Sequence, residues 1–141
     1  MAGIPCKAIV VLCLTLGALC GVDAKELAGG LPQRPRPPAS LTCTRDHLTV
    51  FQGRIIEYTR GKQDIAFRVR TDEETTENFT LKWDTSDNAE KWFLLRGEIF
   101  KIEDWKLIES APGKLHDDMR IFVWVCDDGS KPVLDWRPKE I

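Results

Sequence analysis

The 141 residues suffice for one domain with its own core, and not for two. Twenty Lys and Arg stand against 22 Asp and Glu, so no global field draws the chain to nucleic acid or to an anionic membrane.

The first 24 residues are expected to be a cleaved export signal. Lys7 supplies the positive start, residues 8–19 the apolar run, and Val22-Asp23-Ala24 a permissive cleavage site. The apolar run is far short of the ~20 residues of a spanning helix, so no membrane span is expected once the signal is removed. Leu19 stands where acylation of Cys20 would need a small residue, which argues against a lipid anchor. Cys6, Cys13 and Cys20 leave with the signal, and only Cys43 and Cys126 remain. In an exported compartment, periplasmic or extracellular, these two are expected to form a disulfide. Two thiols alone cannot build a structural zinc site, and neither lies in a Cys-x-x-Cys.

Residues 25–40 carry Pro32, Pro35, Pro37 and Pro38 and read as a solvated, partly polyproline II linker. Arg34 and Arg36 would suit a PxxP recognition segment, but a solvated tether is the favoured reading. The folded domain is expected over 41–141. Its first strand covers 48–58, and Gly53 with the Ile55-Ile56 pair breaks the alternation there, as a bulge or sharp coil would. After a turn at 59–62, Ile65, Phe67 and Val69 alternate with Ala66, Arg68 and Arg70. An acidic loop follows at 71–77. Phe79, Leu81 and Trp83 then alternate with Asn78, Thr80 and Lys82, which makes a three-stranded meander. Asp87 and Glu90 suggest a capped helix through Trp92. Residues 93–100 read as a strand broken at Arg96-Gly97. Residues 103–109 have helical spacing with Trp105 and Ile108 on one side, and Ala111-Pro112-Gly113 ends them. Residues 119–126 form a β-branched and aromatic strand expected at the centre of a sheet. Pro132 and Pro138 bound a last segment expected at an edge.

This pattern predicts a mainly β domain: a small five- to six-stranded antiparallel barrel with one or two short helices. Over 47–136 the order resembles the OB-fold. On the glycine-bearing first strand, the Arg96-Gly97 turn followed by Glu103-Asp104-Trp105, and Asp118 to Val125, it also resembles small exported OB-like domains of uncharacterised bacterial proteins. None of these residues is a catalytic signature.

The chain carries few residues in catalytic or metal-binding patterns. His47 and His116 could be drawn into a Ser/His/Asp grouping with Ser110 or Ser130, but no nucleophile-elbow glycines surround either serine. Asp117-Asp118 and Asp127-Asp128-Gly129 lack the spacing of a calcium loop and read as turns. No metal and no cofactor is expected. The five tryptophans read as core and lid rather than as a stacking platform. Asn78-Phe79-Thr80 is a glycosylation sequon placed within a strand.

The feature above this background is basic. If Ile65, Phe67, Val69, Phe79, Leu81 and Trp83 face inward, then Arg68, Arg70 and Lys82 face outward, and Arg54 can join them from the first strand. The resemblance makes this the face that OB-type barrels use for ligands. The expected function is therefore that of an exported, non-enzymatic domain binding an anionic oligosaccharide or protein partner in the cell envelope through Arg54, Arg68, Arg70 and Lys82. A nucleic-acid-binding OB domain is the second reading, disfavoured by the missing basic surplus. A small hydrolase using His47 or His116 is the third.

Overall fold

The computed structural model describes residues 35–139. The expected export signal, residues 25–34 of the expected linker and the last two residues lie outside the described residues. Among the described residues no helix is long and apolar enough to cross a membrane.

The chain is mainly β. Strand β1 covers Leu48–Arg60, β2 Asp64–Thr71 and β3 Thr76–Lys82. Short strands follow: β4 (Phe93–Leu95), β5 (Glu98–Ile99), β6 (Glu109–Ala111) and β7 (Lys114–Leu115). Strand β8 covers Arg120–Cys126 and β9 Val133–Arg137. One short helix, α1, spans Trp105–Ile108. Seven strands form one sheet in the order β3-β2-β1-β8-β9-β4-β5, while β6 and β7 pair separately.

The expectation of a closed, five- to six-stranded antiparallel barrel needs correction in three respects. The sheet is open, with β3 and β5 as its edges. One pair, β4 with β9, is parallel. The strands number nine, because four of them are only two or three residues long, too short to show a periodicity in sequence. The last segment is also not an edge. β9 lies between β8 and β4, and Pro132 and Pro138 fall just outside it, so neither removes a ladder N–H. The helix expected before Trp92 is a single 3-10 turn, Ala89–Trp92, capped by Asn88 accepting the Glu90 N–H at 2.9 Å. Asp87, the expected cap, instead pairs with Lys91 at 2.7 Å.

Other expectations hold. β8 is the fourth strand of seven, at the sheet's centre. β1 carries the bulge: its register with β2 jumps from Ile55↔Val69 to Glu57↔Arg68, leaving Ile56 as the extra residue. Gly53 lets β1 approach β2 closely. A Cβ there would lie 2.2 Å from the Arg70 carbonyl oxygen. The inner face buries Ile65, Val69, Ile121, Val123, Leu134 and Trp136 completely. Phe93 packs edge-on against Phe100, Trp105 and Trp136, with centroids 5.5, 5.6 and 6.0 Å away, so the rings that follow β5 and start α1 cover one side of this core.

A buried ionic contact secures the same region. Glu109 accepts the Tyr58 hydroxyl and the Arg60 guanidinium, each at 2.6 Å, and Arg60 lies 4.2 Å over the Trp105 ring. Burial, and then the hydrogen bond to Glu109, push the Tyr58 hydroxyl far above its usual range, so it stays a donor.

Cys43 and Cys126 are joined, tying the segment before β1 to the end of β8. A second tie stands beside the bond. The His47 carbonyl accepts the Asp127 N–H, and His47 Nδ1 lies 2.7 Å from Asp127 Oδ2. The hydrogen bond to Asp127, and next its charge, raise the His47 pKa above 6.5. A raised folded-state pKa means that the pair's contribution is fully present below pH 6.5 and fades as pH rises through the folded value. NMR titration is expected to place the His47 midpoint above 6.5 and to return it towards 6.5 in Asp127→Asn. A midpoint unmoved by that substitution would mean that the contact does not persist in solution.

Candidate anion-binding face

Backbone register assembles the site. The β1–β2 ladder sets Arg54 opposite Arg70, the β1–β8 ladder sets Arg54 opposite Arg120, and the β8–β9 ladder sets Arg120 opposite Arg137. Directly opposed residues share a face, so four arginines on four adjacent strands form one rank across the outer face of the sheet. With strands about 4.8 Å apart, the rank is about 14 Å long.

Such a rank works against folding, because like charges directly opposed across a ladder destabilise it. Three carboxylates offset part of this. Arg120 holds both oxygens of Asp72, at 2.8 and 2.5 Å. Arg54 meets Asp118 at 3.0 Å. Arg137 meets Asp135 at 2.5 Å while lying 4.5 Å over the Phe122 ring. The pairs differ in kind. Asp135 is buried and also accepts the Gly97 N–H at 2.8 Å, so it is fixed. The partners in Arg54–Asp118 and Arg120–Asp72 are about half exposed, and pairs of that sort contribute roughly 0–1 kcal/mol. An incoming anion can exchange with them. Arg70 has no carboxylate within ion-pair distance among the described residues.

Three of the arginines line a shallow cavity of about 290 Å³ together with Ile56, Thr71 and Asp72. Ile56 is the extra residue of the bulge and is 49% exposed, so it offers an apolar wall beside the guanidinium groups of Arg54, Arg70 and Arg120. The bulge and the glycine expected from the sequence thus shape the same spot.

Of the four residues expected at the site, Arg54 and Arg70 are brought together. Arg68 stands on the same face, but its guanidinium is engaged by Glu57 at 2.7 Å and by the Asn78 Oδ1 at 3.0 Å. Lys82 shares the face without sharing the rank. It sits opposite Asp64, whereas Arg70 sits opposite Thr76, six residues along β3 and so roughly 20 Å away. Sequence reasoning missed Arg120 and Arg137. Arg120 was visible as the lone charge in an apolar strand, but only the register shows what it faces.

The other candidates fall elsewhere. His116 Nε2 lies 3.0 Å from the Lys106 carbonyl oxygen, Ser110 Oγ donates to the Lys114 and Leu115 carbonyls, and the Ser130 N–H donates to Asp128. No hydrogen bond among the described residues links either histidine to a serine. Among the described residues no cluster of three or more His, Cys, Asp or Glu is placed to hold a metal ion. Trp124 and Trp136 are buried, and Trp83, Trp92 and Trp105 pack against the core as partly buried rings. Asn78 of the sequon is exposed on the edge strand β3.

Compared with protein-family models, curated proteins and solved structures, the chain matches none.

Proposed function

We propose that this chain is an exported, non-enzymatic binding domain that takes an anionic polymer on the outer face of β1, β2, β8 and β9. The observation that carries this reading is the cross-strand rank of Arg70, Arg54, Arg120 and Arg137. Directly opposed cations work against a ladder, Arg70 has no carboxylate partner among the described residues, and guanidinium groups are suited to bidentate capture of carboxylate, sulfate or phosphate. Export is supported by the apolar leader and by the Cys43–Cys126 bond, since such bonds persist in oxidising compartments. An OB-like layout draws its support from the long, bulged β1 shared between β2 and β8. The nucleic-acid reading has less support. The chain carries a net charge of −2 and its tryptophans pack against the core rather than forming a stacking platform.

The test is binding of the purified domain to immobilised anionic polymers at low salt. Binding is expected, and it is expected to weaken as salt screens the arginines. Arg54→Glu with Arg70→Glu is expected to lower affinity at least tenfold without unfolding the domain, because both side chains are exposed. Arg68→Glu, a change at an arginine already paired, is expected to do less. If the double variant keeps every detected partner at unchanged affinity, the face is merely solvated and the reading is wrong.

A further inference from the structure

We infer that the free edge of β3 takes an extended segment of another protein as a further strand, with an acid opposite Lys82, a base opposite Glu77 and apolar residues opposite Phe79 and Leu81. This surface is separate from the arginine rank, and the anion reading stands or falls without it. The sheet ends on one side at β5, which is only two residues long, and on the other at β3, which is seven. β3 pairs with β2 without a bulge and holds no proline, so nothing in its backbone blocks a further strand. Two hydrogen bonds fix which of its groups are free. The Thr71 N–H donates to the Thr75 carbonyl at 2.9 Å, and the Trp83 N–H to the Gln63 carbonyl at 3.0 Å. Bonded pairs alternate along an antiparallel ladder, so Glu77, Phe79 and Leu81 turn their N–H and C=O towards β2. Thr76, Asn78, Thr80 and Lys82 turn theirs outward, and among the described residues no other backbone segment bonds to them.

The side chains along this edge select the occupant. On the outer face Lys82 is exposed. Asp64 sits opposite it on β2, yet among the described residues no carboxylate lies within ion-pair distance of it. On the inner face Leu81 is buried, while Phe79 is only partly so. Phe79 stacks on Phe67 at 5.4 Å and meets Phe51 edge-on at 5.3 Å, and an added strand would lie along its side away from β2. Glu77 is the one charge that points inward from this edge, and it works against the simplest occupant, a second copy of the chain. In each two-fold register that overlaps most of β3, Glu77 of one copy falls opposite Phe79, Leu81 or Trp83 of the other. A carboxylate is then covered without a cation to meet it. A foreign strand with a base at that position meets the charge instead.

The experiment is titration of the whole chain with the peptide Glu-Val-Thr-Val-Thr-Lys-Thr, which, running antiparallel, sets its Glu opposite Lys82 and its Lys opposite Glu77. Binding is expected, with slowed hydrogen exchange at the Thr76, Asn78, Thr80 and Lys82 amides. N-methylation of the peptide's third residue, which pairs with Thr80, is expected to weaken binding at least tenfold. N-methylation of its fourth, whose N–H points away from β3, is expected to change little. Exchanging the peptide's Glu and Lys is expected to weaken binding severalfold. Thr80→Pro removes an outward N–H without touching the β2 ladder, and it is expected to abolish binding in a domain that keeps its folded NMR spectrum. Equal binding of the two methylated peptides, equal binding of the exchanged peptide, or no binding at millimolar peptide would overturn the inference. So would a dimer of the chain alone that Thr80→Pro dissociates, because the edge would then belong to a second copy.

Discussion

Gly53→Ala is expected to destabilise the domain by about 3 kcal/mol, the upper end of ordinary overpacking, with a matching fall in the urea midpoint. The added Cβ would stand 2.2 Å from the Arg70 carbonyl oxygen and 2.8 Å from the Thr71 Cα. Both are backbone atoms of the paired strand, so no side chain can swing away to relieve the clash. β2 would have to move off β1, and the first casualty would be the register that sets Arg54 opposite Arg70. Binding should therefore fall along with stability. A variant as stable as wild type would show that the two strands are not held this closely.

Replacing Cys43 and Cys126 together by Ala is expected to cost about 4.5 kcal/mol, as the chain-entropy estimate gives for residues 83 apart in sequence. The bond joins the two ends that the β1–β8 ladder already pairs, since Leu48 lies opposite Cys126. Most of the expected loss thus comes from freeing the unfolded chain rather than from lost contacts. The arginine rank lies six residues along the same ladder, roughly 20 Å away. The double variant should keep its ligand affinity wherever it remains folded, which separates the bond's role from that of the site. A loss below 1 kcal/mol in denaturant titration would argue against a bridge in the native protein.

The sequence showed faces better than it showed neighbours. Period-two alternation placed Ile65, Phe67 and Val69 inward and Arg68 and Arg70 outward, and the buried pattern of β2 agrees. The glycine and the doubled isoleucine marked the bulge because such irregularity has few other uses in a strand. Alternation says nothing of rank, however. Lys82 has the right parity, yet the hairpin register carries it to the far end of β3. Arg120 lies 66 positions after Arg54 in sequence, and no local signal predicts that two strands so separated will align at those residues. The parallel pairing of β4 with β9, and strands as short as Glu98–Ile99 and Lys114–Leu115, are likewise set by tertiary packing alone.

On the proposed reading, the arginine rank is kept for an anion at the expense of the fold. The direct measurement is made on one variant, Arg70→Thr, with thermal unfolding and polymer binding followed in the same low-salt buffer. Arg70 is exposed, has no carboxylate partner among the described residues and faces Arg54, so replacing it with a good strand former should relieve repulsion. The expected result is a midpoint raised by about 3 °C, for a gain of about 0.5 kcal/mol, together with a severalfold loss of affinity. A variant that melts lower than wild type and binds just as tightly would contradict an anion-binding role for the rank.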